Sequence, residues 1–69
     1  MKPRTYAQIV EVLKAHGFEL VRSSGSYRQF HKPGHVLIVT VPYHGRNTLM
    51  KVGLVKSIAR QAQIPEADF

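Results

Sequence analysis

The residue types that could do chemistry lie closest together in one short stretch, Gly25-Ser26-Tyr27-Arg28-Gln29-Phe30-His31. If this stretch is a strand, Tyr27 and His31 share one face and lie ~13 Å apart at ~3.3 Å per residue. Imidazole suits acid–base chemistry because its ordinary pKa of about 6.5 is close to working pH. Phe30 then anchors the opposite face, whose other residues are cationic. The pattern alone favours an ordinary amphipathic strand with a turn over a catalytic site.

The histidines of the chain do not form a recognisable metal-binding or hydrolytic pattern. They are His16, His31, His35 and His44, and the chain has no cysteine. A structural zinc site needs four well-placed ligands, and these four residues lack ligand-type spacing. The only acids are Glu11, Glu19, Glu66 and Asp68. No acid lies between Leu20 and Pro65 to orient a histidine or to form a carboxylate pair. We therefore predict no metal and no cofactor.

The charge distribution favours a polyanionic partner. The chain has 10 Lys and Arg against 4 Asp and Glu, a formal charge of +6 and a pI near 10.2. One-sided charge over most of a small domain is typical of a nucleic-acid-binding surface. Lys51, Lys56 and Arg60 could form a basic ridge that follows phosphates, with Arg46 in the loop before it. A solvated basic helix face and an acidic protein partner are the alternatives.

Helix and strand signals predict how these residues are positioned. Thr5 and Gln8 have the spacing of a capping box, and apolar residues recur at helical intervals until Gly17. The predicted elements are a helix over 6–16, strands over 18–22, 27–32 and 35–41, and a helix over 51–63. The third strand is the most apolar, which favours the central or best-covered position in the sheet. Residues 66–69 are expected to fray, although Phe69 could pack back. The sequence predicts an α+β fold, α-β-β-β-α, with both helices on one face of a three-stranded antiparallel sheet.

Length and composition limit the class of protein. A chain of 69 residues is expected to form a single domain over 1–69, with a core too small for a large buried cofactor cleft. No apolar run approaches the ~20 residues of a membrane span, and no export signal is visible. The absence of cysteine suits a reducing compartment, so we expect a cytoplasmic protein with no membrane partner.

Four motifs in order give the chain a specific resemblance. It resembles the HicA-like (YcfA-like) toxins of bacterial and archaeal toxin–antitoxin systems over about residues 5–64. The motifs are His16-Gly17-Phe18-Glu19-Leu20-Val21-Arg22, Gly25-Ser26-Tyr27-Arg28-Gln29-Phe30-His31-Lys32-Pro33-Gly34, Thr40-Val41-Pro42-Tyr43-His44 and Gly53-Leu54-Val55-Lys56-Ser57-Ile58-Ala59-Arg60-Gln61-Ala62.

The resemblance implies a fold like the double-stranded-RNA-binding domain. It also implies a metal-independent mRNA interferase, held in check by a cognate HicB-like antitoxin. Domains of this fold meet RNA through its shape, phosphates and 2′-hydroxyls, which agrees with the basic surface. The predicted RNA contacts are Arg28, Lys32, Arg46, Lys51, Lys56 and Arg60.

One departure from the family pattern leaves the activity open. The family's catalytic histidine follows Gly-Ser, and here Tyr27 follows Gly25 and Ser26. Tyrosine has an ordinary pKa of about 10 and is a poor base at pH 7. Tyr27 can be an inactivating substitution, natural or engineered; it can keep a reduced role while His31 or His44 supplies the base; or the chain can bind RNA without cutting it. The alternative function is a non-catalytic RNA-binding or protein-interaction module of the same fold.

Overall fold

The computed structural model describes residues 1–69 and contains two helices and five strands. In chain order these are β1 (Arg4–Thr5), α1 (Tyr6–Ala15), β2 (Glu19–Ser24), β3 (Tyr27–His31), β4 (Val39–Pro42), β5 (Leu49–Met50) and α2 (Val52–Ala62). Strands β2, β3 and β4 form the predicted antiparallel sheet, and β1 pairs with β5 in a separate ladder. The predicted α-β-β-β-α architecture is confirmed. Neither helix is long and apolar enough to cross a lipid bilayer.

The predicted capping box starts α1. Thr5 Oγ1 accepts a hydrogen bond from the Gln8 backbone N–H at 3.2 Å, and Gln8 Oε1 accepts one from the Thr5 N–H at 2.9 Å. These bonds satisfy two donors that a helix start would otherwise leave free. Ile9 and Leu13, one turn apart, are fully buried. The helix ends at Ala15 with His16 as its C-cap, and Gly17 follows with a φ of +90°, which favours glycine.

The prediction that the third strand spans 35–41 is wrong, and of its two predicted positions, central or best covered, only the second is confirmed, since β4 has more buried residues than β2 or β3. Strand β4 begins at Val39 and lies at the edge, while β3 is central in the order β2-β3-β4. His35 Nε2 lies 3.0 Å from the carbonyl oxygen of Gln61, one of the last residues of α2. This contact holds the chain against α2 before β4 begins. Val36, the next residue, is 93% exposed and lies outside the sheet. Apolar composition predicted a strand where a tertiary contact diverts the backbone.

Both helices cover one face of the sheet, as predicted. A single buried cluster joins residues of α1, the sheet and α2, among them Ile9, Leu13, Phe30, Val39, Val41, Val55 and Ile58. Val39 and Val41 point to the same side of β4 because side chains alternate along a strand. Phe30, the predicted anchor of its strand, lies opposite Val39 and belongs to this core.

Residues 66–69 do not fray, and the predicted alternative, that Phe69 packs back against the protein, is confirmed. Glu66–Asp68 form a turn of 3₁₀ helix, and Phe69 is only 9% exposed within the core cluster. Asp68 Oδ2 lies 3.4 Å from His16 Nε2, and Arg4 Nε donates to the Phe69 carbonyl. The buried ring of Phe69 and these two polar contacts hold the segment against the start and the end of α1.

The short β1–β5 ladder was not predicted. It pairs Arg4 with Met50 and Thr5 with Leu49. Beyond the ladder, the backbone N–H groups of Tyr6 and Ala7 donate to the carbonyls of Thr48 and Arg46 at 3.2 and 2.9 Å. The loop between β4 and α2 is therefore held against the first turn of α1, and this places one wall of the groove described next.

Candidate functional site

An open groove lies where the start of β3, the end of β4 and the start of α2 meet. Its volume is about 660 Å³. We call it the Tyr27 groove. Its lining includes Tyr27, Pro42, His44, Leu49, Lys51 and Leu54. Three of these, Tyr27, His44 and Lys51, are site residues predicted from the sequence.

The turn between β2 and β3 sets the position of Tyr27. Gly25 has φ +56°, a left-handed conformation that favours glycine and lets the chain reverse within two residues. The Ser26 carbonyl then accepts a hydrogen bond from the Tyr43 N–H at 2.6 Å, and Tyr27 pairs with Pro42 in the ladder. These contacts fix the backbone of Tyr27 at the end of the sheet, while its side chain stays 53% exposed.

His44 is held by its loop rather than by a regular element. The Thr48 hydroxyl donates to the His44 carbonyl at 2.7 Å, and the Thr48 N–H donates to the Gly45 carbonyl at 3.1 Å. Gly45 has φ +114°, and a Cβ there would lie 3.3 Å from Thr48 Oγ1. Glycine therefore allows the tight loop that leaves the imidazole exposed at the groove.

Lys51 brings a positive charge to the groove from the position just before α2. Its backbone forms the N-cap, and its side chain makes no capping hydrogen bond. The first turn of α2 contains no acid, and the only ion pair in the chain is that of His16 with Asp68. The Lys51 ammonium is therefore available to an anionic ligand.

The groove thus combines a phenol, an imidazole and an ammonium on a partly apolar surface. Such a set can bind a phosphate, contact a flat ring and exchange a proton through the imidazole. No group of three or more His, Cys, Asp or Glu side chains is arranged to hold a metal ion.

The structure does not bring His31 to this groove. His31 lies at the opposite end of β3 from Tyr27. Its Nε2 is 2.8 Å from the His35 carbonyl oxygen, so the ring is engaged with the loop before β4. The sequence predicted the two residues to lie ~13 Å apart, and their positions at the two ends of β3 agree with that separation.

Arg28, predicted to contact RNA, packs against the protein. Its guanidinium carbon lies 4.1 Å from the centre of the Tyr43 ring, and Nη1 donates to the Ser23 hydroxyl at 3.1 Å. Its buried Nε has no partner. Tyr43 in turn makes an edge contact with Tyr6 at 4.6 Å between ring centres. Burial raises the pKa of Tyr6; the Arg28 charge partly offsets this effect and Tyr43 adds to it.

The other predicted RNA contacts lie outside the lining of the Tyr27 groove. Lys32 Nζ is 5.0 Å from the Phe18 ring centre and donates to the His16 carbonyl at 3.4 Å. Arg46 lies beside the first turns of α1. Lys56 and Arg60 lie on the exposed face of α2, opposite its apolar buried face. The six cations therefore do not form a single cluster at the groove.

The sequence reasoning missed the apolar part of the groove. Pro42, Leu49 and Leu54 line it beside Tyr27, and Leu49 is 63% exposed. Leu49 could have been noticed as an apolar residue within an otherwise polar loop. Leu54 was indistinguishable from a core residue, because it lies in an apolar helical segment.

Comparison with known proteins agrees with this architecture. A family model described as the HicA toxin of bacterial toxin–antitoxin systems matches residues 6–64. The match spans both helices and all three strands of the main sheet. A search of curated proteins returns no matching relative. The chain therefore belongs to the HicA toxin family of bacterial toxin–antitoxin systems.

Proposed function

We propose that this chain is an RNA-targeting toxin domain of the mRNA interferase type, that it binds RNA in the Tyr27 groove, and that Tyr27 impairs its cleavage activity. The observation that carries the proposal is the convergence of Tyr27, His44 and Lys51 on one open groove. By the resemblance in sequence, Tyr27 occupies the position of the family's catalytic histidine. The basic charge of the chain supports a polyanionic substrate.

The reaction proposed is cleavage of a phosphodiester by the neighbouring 2′-hydroxyl. A base removes the hydroxyl proton, the oxygen attacks phosphorus, and the bond to the 5′-oxygen breaks as an acid protonates that oxygen. Lys51 would stabilise the negative charge of the phosphorane. His44 can accept or donate one proton. A phenol at position 27 can donate a proton or a hydrogen bond, but it is a weak replacement for an imidazole base at pH 7.

Membership of a toxin–antitoxin family implies an antitoxin partner. We propose that the partner is a HicB-like protein with an acidic surface. The stretch from Leu20 to Pro65 has no acid, and none of its Lys or Arg side chains pairs with a carboxylate. An acidic partner would complement this charge and compete with RNA for the same surface. An acidic reading frame beside this gene would support the pairing.

Induced expression in bacterial cells tests the proposed function. The parent chain is expected to allow growth, and Tyr27→His is expected to arrest growth and shorten cellular mRNA. Adding Lys51→Gln to Tyr27→His should weaken the arrest, whereas adding Lys14→Gln should not, because Lys14 lies outside the groove. A folded Tyr27→His variant as harmless as the parent would contradict the proposal and favour a non-catalytic binding module. A parent that arrests growth as strongly as Tyr27→His would refute the assignment of position 27.

A further inference from the structure

We infer that the Tyr27 groove selects an unpaired nucleotide, whose base stacks on the Tyr27 ring while its phosphate lies against Lys51. The inference rests on the proposed RNA-binding function and narrows its substrate to single-stranded RNA. It also gives Tyr27 a binding role that does not depend on proton transfer.

The three tyrosines of the chain differ in how many contacts their rings make with other side chains. Tyr6 and Tyr43 pack edge to face, and Tyr43 also lies under Arg28. Tyr27 makes no aromatic pair, no cation–π contact and no side-chain hydrogen bond, although its backbone is fixed in the sheet. A half-exposed aromatic ring, carried on a backbone that the sheet fixes and not used by any other contact, is the usual platform for base stacking.

The surroundings of Tyr27 fit an unpaired nucleobase better than the edge of an RNA duplex. Pro42, Leu49 and Leu54 give the groove an apolar surface, which suits a flat ring removed from water. The groove volume of about 660 Å³ lies within the range of about 300–1,000 Å³ that holds small ligands. In a duplex the faces of each base are covered by neighbouring bases, so stacking on Tyr27 requires an unpaired or extruded base.

Charge complementarity selects a nucleotide over a neutral aromatic ligand. Lys51 lines the same groove, and no acidic side chain lines it. The apolar surface and the ammonium therefore match the two parts of a nucleotide, its base and its phosphate. This pairing of stacking with a cationic contact is the general mode of single-strand binding.

Binding of a labelled oligoribonucleotide tests the inference. A single strand should bind the parent more tightly than a duplex of the same length. Tyr27→Phe should retain the parent affinity because the ring is kept, while Tyr27→Leu should lose about 5- to 150-fold, as expected for one stacked base. Loss in Tyr27→Phe equal to that in Tyr27→Leu would assign the effect to the hydroxyl and overturn stacking.

A fluorescence measurement reports contact directly. The chain has no tryptophan, so Tyr27→Trp introduces a single indole. Its emission should be quenched by single-stranded RNA. Leu37→Trp is the matched control, because Leu37 is 52% exposed, almost as much as Tyr27, but lies outside the groove. Its emission should not change.

The outcomes separate this inference from the proposed function. If the parent binds single strand and duplex equally and Tyr27→Leu binds as tightly as the parent, stacking is refuted while RNA binding survives. If the parent binds no RNA, the proposed function itself fails.

Discussion

Replacing Lys51 by glutamine should weaken RNA binding and at the same time stabilise the fold. Lys51 is the N-cap of α2, and its positive charge lies at the end of a helix where the dipole is also positive. Its side chain makes no capping bond that the substitution could remove. Removing the charge should therefore raise the free energy of unfolding by about 0.3–1 kcal/mol at low ionic strength. For a domain of this size that is a Tm increase of a few degrees.

The effect of Lys51→Gln on RNA binding has the opposite sign. Each phosphate contact to a single strand contributes about −0.7 to the slope of log K against log salt concentration. Loss of one contact should therefore make the slope shallower by about 0.7. The parent's advantage in affinity should accordingly shrink about 2.6-fold between 50 and 200 mM salt. Fluorescence anisotropy with a labelled RNA over this salt range measures both the affinity and the slope.

Lys14→Gln is the matched control for this prediction. Lys14 lies in the last turn of α1, where a positive charge is favourable, and it does not line the groove. Its removal should slightly lower Tm and leave the contact made by Lys51 intact. An unchanged salt slope in Lys51→Gln, together with equal affinity for RNA, would refute the assignment of Lys51 to phosphate binding.

Three further predictions concern the fold that supports the groove. Phe69→Ala should lose about 3 kcal/mol of stability because the ring is buried in the core; thermal unfolding measures this, and an unchanged Tm would restore the view that the tail is loose. Since the pKa of Tyr6 is raised in the folded state, the unfolded chain loses this proton first. The free energy of unfolding should then fall as pH rises above about 10, and it should fall less in Tyr6→Phe. Urea unfolding between pH 9 and 11 measures this, and an equal fall in the two proteins would argue against the role of Tyr6. Gln61→Leu removes the side-chain acceptor of the Thr40 N–H and should lower the free energy of unfolding by about 1–3 kcal/mol. Hydrogen exchange at the Thr40 amide should become faster, and unchanged exchange would contradict this role of Gln61.

Local signals were sufficient to predict most of the fold. The capping box of Thr5 and Gln8, the helical spacing of Ile9 and Leu13, and the turn of small polar residues around Gly25 each act within a few residues. Such signals are visible in a sequence because the interacting groups are close along the chain.

The errors of prediction arose where distant contacts decide the structure. Val36 to Ile38 have the composition of a buried strand, but the contact of His35 with Gln61 carries the chain away from the sheet. The burial of Phe69 depends on a pocket formed by residues far away in sequence, and the β1–β5 ladder is too short to leave a pattern. The same limit applies to the groove, because Tyr27, His44 and Lys51 come from a strand, a loop and a helix N-cap, and only the tertiary fold brings them together.

The most direct test of the account is the rate at which the purified parent and Tyr27→His cleave one RNA, side by side, in EDTA. A positioned imidazole contributes about 10²- to 10⁴-fold through acid–base catalysis. We expect Tyr27→His to cleave faster than the parent by a factor within this range, at unchanged Tm. A folded Tyr27→His variant that cleaves no faster than the parent would contradict the claim that residue 27 controls the chemistry of this groove.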